Sequence, residues 1–230
     1  KRSLSELLYK LSAVPGLEWI RLHYAYPSKF PLELLDAMRD CDNVCNYLDM
    51  PLQHASNHML QAMKRQITRE EMETLIAAIR EKVPGICLRT TLITGFPGET
   101  REDVEELKDF LRRMRFDRVG IFTYSHEENT SAYDLVDDIP AAEKEARAQE
   151  IMEVQQEISL EKNQEKVGKV FKVIVDKKEA GRYLGRTEFD SVEVDNEVVI
   201  NTNKKLAIGT FVNVRITKAF DYDLEGEIVA

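Results

Sequence analysis

The sequence predicts an α/β unit followed by an all-β unit within one chain of 230 residues. Three observations carry that expectation. Strand-like and helix-like segments alternate as far as Tyr124, a long charged helix with a single apolar stripe follows Pro140, and short alternating strands fill the remainder. Strands recurring every ~25 to 40 residues with helices between them imply right-handed βαβ units and a parallel sheet, and four such strands are too few to close a barrel.

Ser3 with Glu6 three residues on opens the first helix, whose stripe is Leu4, Leu7, Leu8 and Leu11; Pro15-Gly16 stops it before the strand-like Glu18–Tyr26. A Pro-started helix near Pro31–Arg39 leads to the strand-like Val44–Leu52. A short helix, Asn57–Met63, precedes a longer one in which Thr68 pairs with Glu71 and the stripe runs Met72, Leu75, Ile76, Ile79, with Pro84-Gly85 at its end. The strand Cys87–Thr94, the helix Arg101–Arg115 and the strand Arg118–Tyr124 complete the series.

Leu88 to Thr100, reading LRTTLITGFPGET, is the most informative stretch. An apolar, β-branched run ends in Gly-Phe-Pro-Gly and a helix starts at once, at the strand end where α/β folds keep their ligands. Pro97 presets φ for a turn, Gly98 permits positive φ, and Thr100 with Asp103 opens a helix whose apolar positions are Val104, Leu107, Leu111 and Met114. The motif fits a ligand site and an ordinary strand-turn-helix corner equally. No Gly-Lys-Ser/Thr follows, which excludes a phosphate-binding P-loop.

After Pro140 one helix, about Ala141 to Lys166, would span roughly 39 Å, and Ile151, Val154 and Ile158 on one side make it a packed connector. Five short strands follow, Lys169–Asp176, Arg182–Thr187, Val192–Ile200, Thr210–Ala219 and Leu224–Val229, with turns at Glu179-Ala180-Gly181 and Asn201-Thr202-Asn203. That spacing suits a small OB-like antiparallel barrel.

A net charge of −9 and a pI near 5.1 oppose a general nucleic-acid binder. Three cysteines without a regular framework oppose a disulfide scaffold. The longest apolar run falls short of the roughly 18 to 20 residues of a membrane span and no leader precedes it, so a cytoplasmic protein with no membrane partner is expected. The missing initiator Met points to a fragment.

Four blocks resemble the radical SAM methylthiotransferases: Trp19-Ile-Arg-Leu-His-Tyr-Ala-Tyr-Pro27, Tyr47-Leu-Asp-Met-Pro-Leu-Gln-His-Ala-Ser56, Arg89-Thr-Thr-Leu-Ile-Thr-Gly-Phe-Pro-Gly-Glu-Thr100 and Phe122-Thr-Tyr-Ser-His-Glu-Glu-Asn-Thr130. The resemblance covers essentially the whole chain, and the last ~60 residues resemble a TRAM domain. It implies a partial, TIM-like radical SAM barrel over residues 1–140, a connecting helix over 141–166 and a five-stranded TRAM barrel over 167–230. The family's Cys-x₃-Cys-x₂-Cys loop for a [4Fe–4S] cluster is not in this sequence.

Cys41 and Cys45 reproduce the first spacing of that loop, but Leu48 stands at the third place, so the three cysteines read as small apolar residues and no metal ligand is assigned. His54 and His58, four apart, could share a helix face, yet no third ligand accompanies them and a structural or substrate-facing role is favoured. The resemblance implies an S-adenosylmethionine pocket at the strand ends. Gln53 would serve the ribose or methionyl group, or merely start a helix. Arg89 and Arg21 would pair with the methionyl carboxylate or with an internal acid, the latter favoured for Arg21. Thr91, Ile93 and Gly95 correspond to the strand beside the adenine, with Thr91 where many relatives have Gly. Phe122 and Tyr124 would flank the purine or fill the core. Asn129 replaces a common Gly in the loop Ser125–Tyr133, which the turn tolerates because Asn accepts left-handed φ. No catalytic base is assigned, since in this family the radical derived from the cofactor abstracts hydrogen.

From Lys166 onward, 11 basic residues balance 11 acidic ones, so the acidic excess lies in the barrel and connector. Phe189, Phe211, Phe220 and Tyr222 could stack bases, but the electrostatic footprint of an RNA platform is missing. A protein substrate is favoured, and the resemblance implies β-methylthiolation of an aspartate in ribosomal protein S-twelve by a monomeric enzyme. The alternatives are tRNA methylthiolation and a non-catalytic binding module. Without the cluster cysteines, the isolated chain is expected to be inactive.

Overall fold

The computed structural model describes residues 3–229. Its first part is an open, wholly parallel sheet whose strands lie in chain order: β1 (Ile20–Leu22), β2 (Val44–Asp49), β3 (Cys87–Thr94) and β4 (Arg118–Thr123). The helices between and beside them are α1 (Leu4–Ser12), α2 (Glu33–Asp40), α3 (Asn57–Ala62), α4 (Arg69–Lys82), α5 (Arg101–Met114) and α6 (Ala141–Gln164). The caps expected from sequence are present. Ser3 accepts the Glu6 N–H, and Thr68 with Glu71 and Thr100 with Asp103 form reciprocal capping boxes, satisfying otherwise free N–H groups at about 1 kcal/mol for each cap.

One face of the sheet packs on the helices. Leu48, Leu88 and Leu92 meet Ile76 and Ile79 of α4, Val104, Leu107 and Leu111 of α5, and Ile151, Val154 and Ile158 of α6 in one cluster. Each fully buried aliphatic side chain contributes roughly 1.5–3 kcal/mol, and α6 is thereby fixed to the sheet as a packed rod.

The second part is a closed barrel of β5 (Val170–Glu179), β6 (Arg182–Thr187), β7 (Val198–Asn201), β8 (Phe211–Ala219) and β9 (Leu224–Ile228), in the order β5-β6-β7-β9-β8. Four pairings are antiparallel and the β7–β9 pairing is parallel, with Val198 opposite Leu224. No helix among the described residues is long and apolar enough to cross a membrane.

Three segments depart from the sequence expectation. The run Glu18–Tyr26 keeps only Ile20–Leu22 as strand, because Tyr24 adopts φ 58° and the Ala25 N–H turns to the Asp49 carbonyl at 2.8 Å. The strand expected from Val192 begins at Val198, with Val192 and Val194 exposed. There the Asp190 carboxylate accepts the Thr187 hydroxyl at 2.6 Å and Asp195 accepts the Ser191 N–H at 2.8 Å, which folds residues 188–196 into a loop instead of a strand. Finally, His54 and His58 share no helix face: α3 starts after the N-cap Ser56, leaving His54 buried ahead of the helix and His58 exposed upon it.

Asp103 ties α3 to α5, accepting from Ser56, the Thr100 N–H and His58. Burial alone would raise its pKa; the Ser56 hydrogen bond, then Thr100 and His58, outweigh burial and bring it from 3.8 down to about 2. A depressed folded-state value stabilises above the unfolded pKa and is lost as the carboxylate protonates, so about 2 kcal/mol should disappear between roughly pH 4 and pH 2. Urea midpoints measured across that window should fall less steeply for Asp103→Asn than for the wild type.

Candidate functional site

From Leu88 onward β3 alternates: Thr90, Leu92 and Thr94 are buried against the helices, whereas Arg89, Thr91 and Ile93 are half-buried on the opposite face. The register places Gly120 beside Thr91 and Phe122 beside Ile93. Phe122 is 58 % exposed, an aromatic ring that covers no core, so of its two readings the filling of the core is not what the fold shows.

Past the end of β2, Gln53 adopts φ 75° and is knit to β3, donating its N–H to the Thr91 carbonyl at 2.9 Å and accepting the Ile93 N–H at 2.8 Å. Its Oε1 is buried without a hydrogen-bond partner. Gln53, Thr91, Ile93 and Phe122 thus meet at the carboxyl end of the sheet, two of them with unused polar capacity and two with apolar surface.

Of the other three predicted residues, Arg89 and Gly95 border this group and Arg21 does not. Arg89 is paired internally, its Nη1 donating to Asp49 at 2.9 Å and to the Thr91 hydroxyl at 3.3 Å, with Nε 3.3 Å from Asp195. Gly95, at φ 73°, stands in the turn behind the face. Its N–H donates to Glu99, and the aliphatic stem of Lys144 packs against its Cα side so closely that a Cβ would lie 2.3 Å from Lys144 Cγ. Arg21 sits at the opposite end of the sheet, donating to the Glu188 carbonyl at 2.8 Å over the Tyr47 ring. Its partners are backbone carbonyls of the small barrel, where an acidic side chain was expected.

Sequence reading missed the groups that hold this end of the sheet together. Glu99, within the Gly-Phe-Pro-Gly-Glu turn, has a fully buried carboxylate. It accepts from His54 Nε2 at 3.2 Å, Thr94 Oγ1 at 3.1 Å, the Gly95 N–H at 2.9 Å and Arg147 of α6 at 2.9 Å. Burial raises its pKa, but the hydrogen bonds from His54, Arg147 and Gly95 outweigh that and hold it below the ordinary value. His54 Nδ1 accepts the Ala55 and Ser56 N–H groups, which places the ring proton on Nε2, facing Glu99. Only the motif position of Glu99 was visible in sequence. Asn129 does take the left-handed conformation, at φ 64°.

The cysteines do not fit an iron–sulfur cluster. Cys41, Cys45 and Cys87 are buried and free, burial pushes the Cys45 thiol up to about 11 and the Cys87 thiol well above its ordinary value, and no cluster of metal-ligating side chains occurs among the described residues. The polar and apolar groups at the strand ends do fit a nucleoside-bearing ligand, the orphaned Gln53 Oε1 being the clearest feature.

Residues 2–111 match the radical SAM superfamily and residues 167–229 match the TRAM domain. The chain thus carries a radical SAM region followed by a TRAM domain. It is 54% identical over 228 residues to "Ribosomal protein uS12 methylthiotransferase RimO" of Flavobacterium psychrophilum, covering 99% of this chain and 53% of the relative. The protein of the same name from Cytophaga hutchinsonii is 54% identical over 230 residues, again with 53% of its length covered. The chain therefore spans about half the length of the curated relatives it matches. Among solved structures, "Coproporphyrinogen III oxidase (HemN) from Escherichia coli", described as a radical SAM enzyme, superposes with a TM-score of 0.50 at 22% identity, covering 60% of this chain and 32% of that one, a likeness of fold.

Proposed function

We propose that this chain is the S-adenosylmethionine-holding and substrate-docking part of a methylthiotransferase that modifies an aspartate of ribosomal protein uS12. The observation that carries the cofactor assignment is the buried, unpartnered Gln53 Oε1 at the strand tips, beside the open face of Thr91, Ile93 and Phe122. Gln53 would accept from a ribose hydroxyl or the methionyl ammonium, Thr91 would offer its hydroxyl, and Ile93 with Phe122 would cover the purine. S-adenosylmethionine held with a [4Fe–4S] cluster supplies radical chemistry that opens an unactivated C–H bond. The cluster's ligands come from outside these residues; what this chain contributes is alignment of the bound cofactor with the target carbon.

The high identity to relatives named for uS12 supports a protein substrate, as does the even charge of the small barrel, which lacks the cationic surface of an RNA platform. A ribosomal-protein substrate carries a cytoplasmic site of action with it. In the full-length protein, Gln53→Ala should weaken S-adenosylmethionine binding roughly tenfold by equilibrium dialysis, since one buried hydrogen bond to the ligand is lost. Unchanged affinity would overturn the assignment of this face. Preferential methylthiolation of tRNA over uS12 by the same preparation would overturn the substrate.

A further inference from the structure

We propose that Asp195, on the β6–β7 loop of the small barrel, is a positioning residue for the cofactor face, holding the Arg89 guanidinium from below and through it the Thr91 hydroxyl. The inference rests on the reading of that face given above. The Asp195 side chain is 2 % exposed and accepts from the Tyr47 hydroxyl at 2.7 Å and the Ser191 N–H at 2.8 Å, with Arg89 Nε at 3.3 Å. The Ser191 contact fixes the carboxylate to its own loop. The other two carry it into the parallel sheet.

A guanidinium is a planar fork, so an anion on Nε and a second on Nη1 fix both its position and its plane. Asp195 and Asp49 are those two anions. The same Nη1 reaches the Thr91 oxygen at 3.3 Å. By accepting there, Thr91 keeps its own hydroxyl proton for donation outward, onto whatever rests on the face beside Gln53. Asp49 extends the arrangement to the β1–α2 loop, its Oδ2 accepting the Tyr24 N–H at 3.4 Å and its carbonyl the Ala25 N–H. One carboxylate of the small barrel thus holds groups on β2 and β3, and Arg89 and Asp49 link it to the β1–α2 loop.

The same loop supplies an internal comparison. Asp190 is as deeply buried and pairs with Arg118 at 2.7 Å, but the Arg118 Nη1 goes on only to the Asp117 carbonyl. Both pairs fasten the small barrel to the sheet. Only the Asp195 pair continues to Thr91.

The test uses the full-length, cluster-loaded protein with Asp195→Asn, Asp190→Asn and Tyr47→Phe, the last removing only the hydroxyl that steadies Asp195. Amide hydrogen exchange at Gln53 and Ile93, and S-adenosylmethionine affinity by equilibrium dialysis, are the readouts. Asp195→Asn should speed exchange at both amides and weaken affinity, each roughly tenfold. Tyr47→Phe should move both in the same direction with a thermal midpoint near wild type, and Asp190→Asn should lower the thermal midpoint without either effect. Unchanged exchange at Gln53 and Ile93 in Asp195→Asn, or an equal rise in Asp190→Asn, would overturn the proposal. A wild type that binds no S-adenosylmethionine would instead remove the reading of the face, while the exchange data would still decide what Asp195 does.

Discussion

Glu99→Gln is expected to destabilise the protein by about 3–5 kcal/mol, the usual cost of leaving a buried charged partner uncompensated. The two carboxylate oxygens serve different donors: Oε1 faces His54, and Oε2 receives Thr94, Gly95 and Arg147. His54 must donate from Nε2, because its Nδ1 is occupied as an acceptor. Either orientation of a glutamine amide therefore sets an NH₂ group against a donor, and Arg147, though it keeps the Glu99 main-chain carbonyl, is left with Glu143 as its anionic partner. At 2–4 °C per kcal/mol for a chain of this size, the thermal midpoint should drop by roughly 10 °C. A shift smaller than about 1 kcal/mol in urea unfolding would mean that the network does not hold the strand ends together.

Gly95→Ala is expected to cost about 3 kcal/mol, from left-handed strain plus displacement of a packed side chain. The new methyl would collide with Cβ, Cγ and Cδ of Lys144, at 2.9, 2.3 and 2.9 Å, and these atoms are the root and middle of the side chain. Moving them pulls Nζ from Asp137, 2.7 Å away, and from the Tyr124 carbonyl. Gly98 provides the comparison, since it has φ 82° and a methyl there would meet nothing within 4 Å, so Gly98→Ala should show only about 1 kcal/mol of strain. Chemical denaturation of the two variants separates the terms; equal losses would remove the packing argument.

Much of the first part of the fold is local and was legible. The capping pairs at Thr68 and Thr100 act over three residues, and the β-branched run Cys87–Thr94 matches β3 at both ends. The small barrel was legible in number of strands, but Val192 and Val194 mimic strand alternation while lying exposed on a loop organised by Asp190 and Asp195. What the loop binds is remote: the hydroxyl of Tyr47 lies 148 residues from Asp195 in sequence. The site divides the same way. Gln53, Thr91, Ile93 and Phe122 meet because adjacent strands bring their tips together, which follows from β-strand order. The partners of Arg89, and the Glu99–Arg147 pair separated by 48 residues, depend on how α6 and the second barrel are laid against the sheet, and no local pattern encodes that.

The chain-order arrangement of β1 to β4 has a consequence for how the protein is made. Each strand finds its neighbour already synthesised, so the sheet can grow by accretion as the polypeptide leaves the ribosome, each parallel pairing waiting only for the crossover between its two strands. The second barrel has no such path. Its ring waits for β9, which must enter between β7 and β8, so the last strand of the barrel governs when the β6–β7 loop, and with it Asp195, comes to rest beneath Arg89.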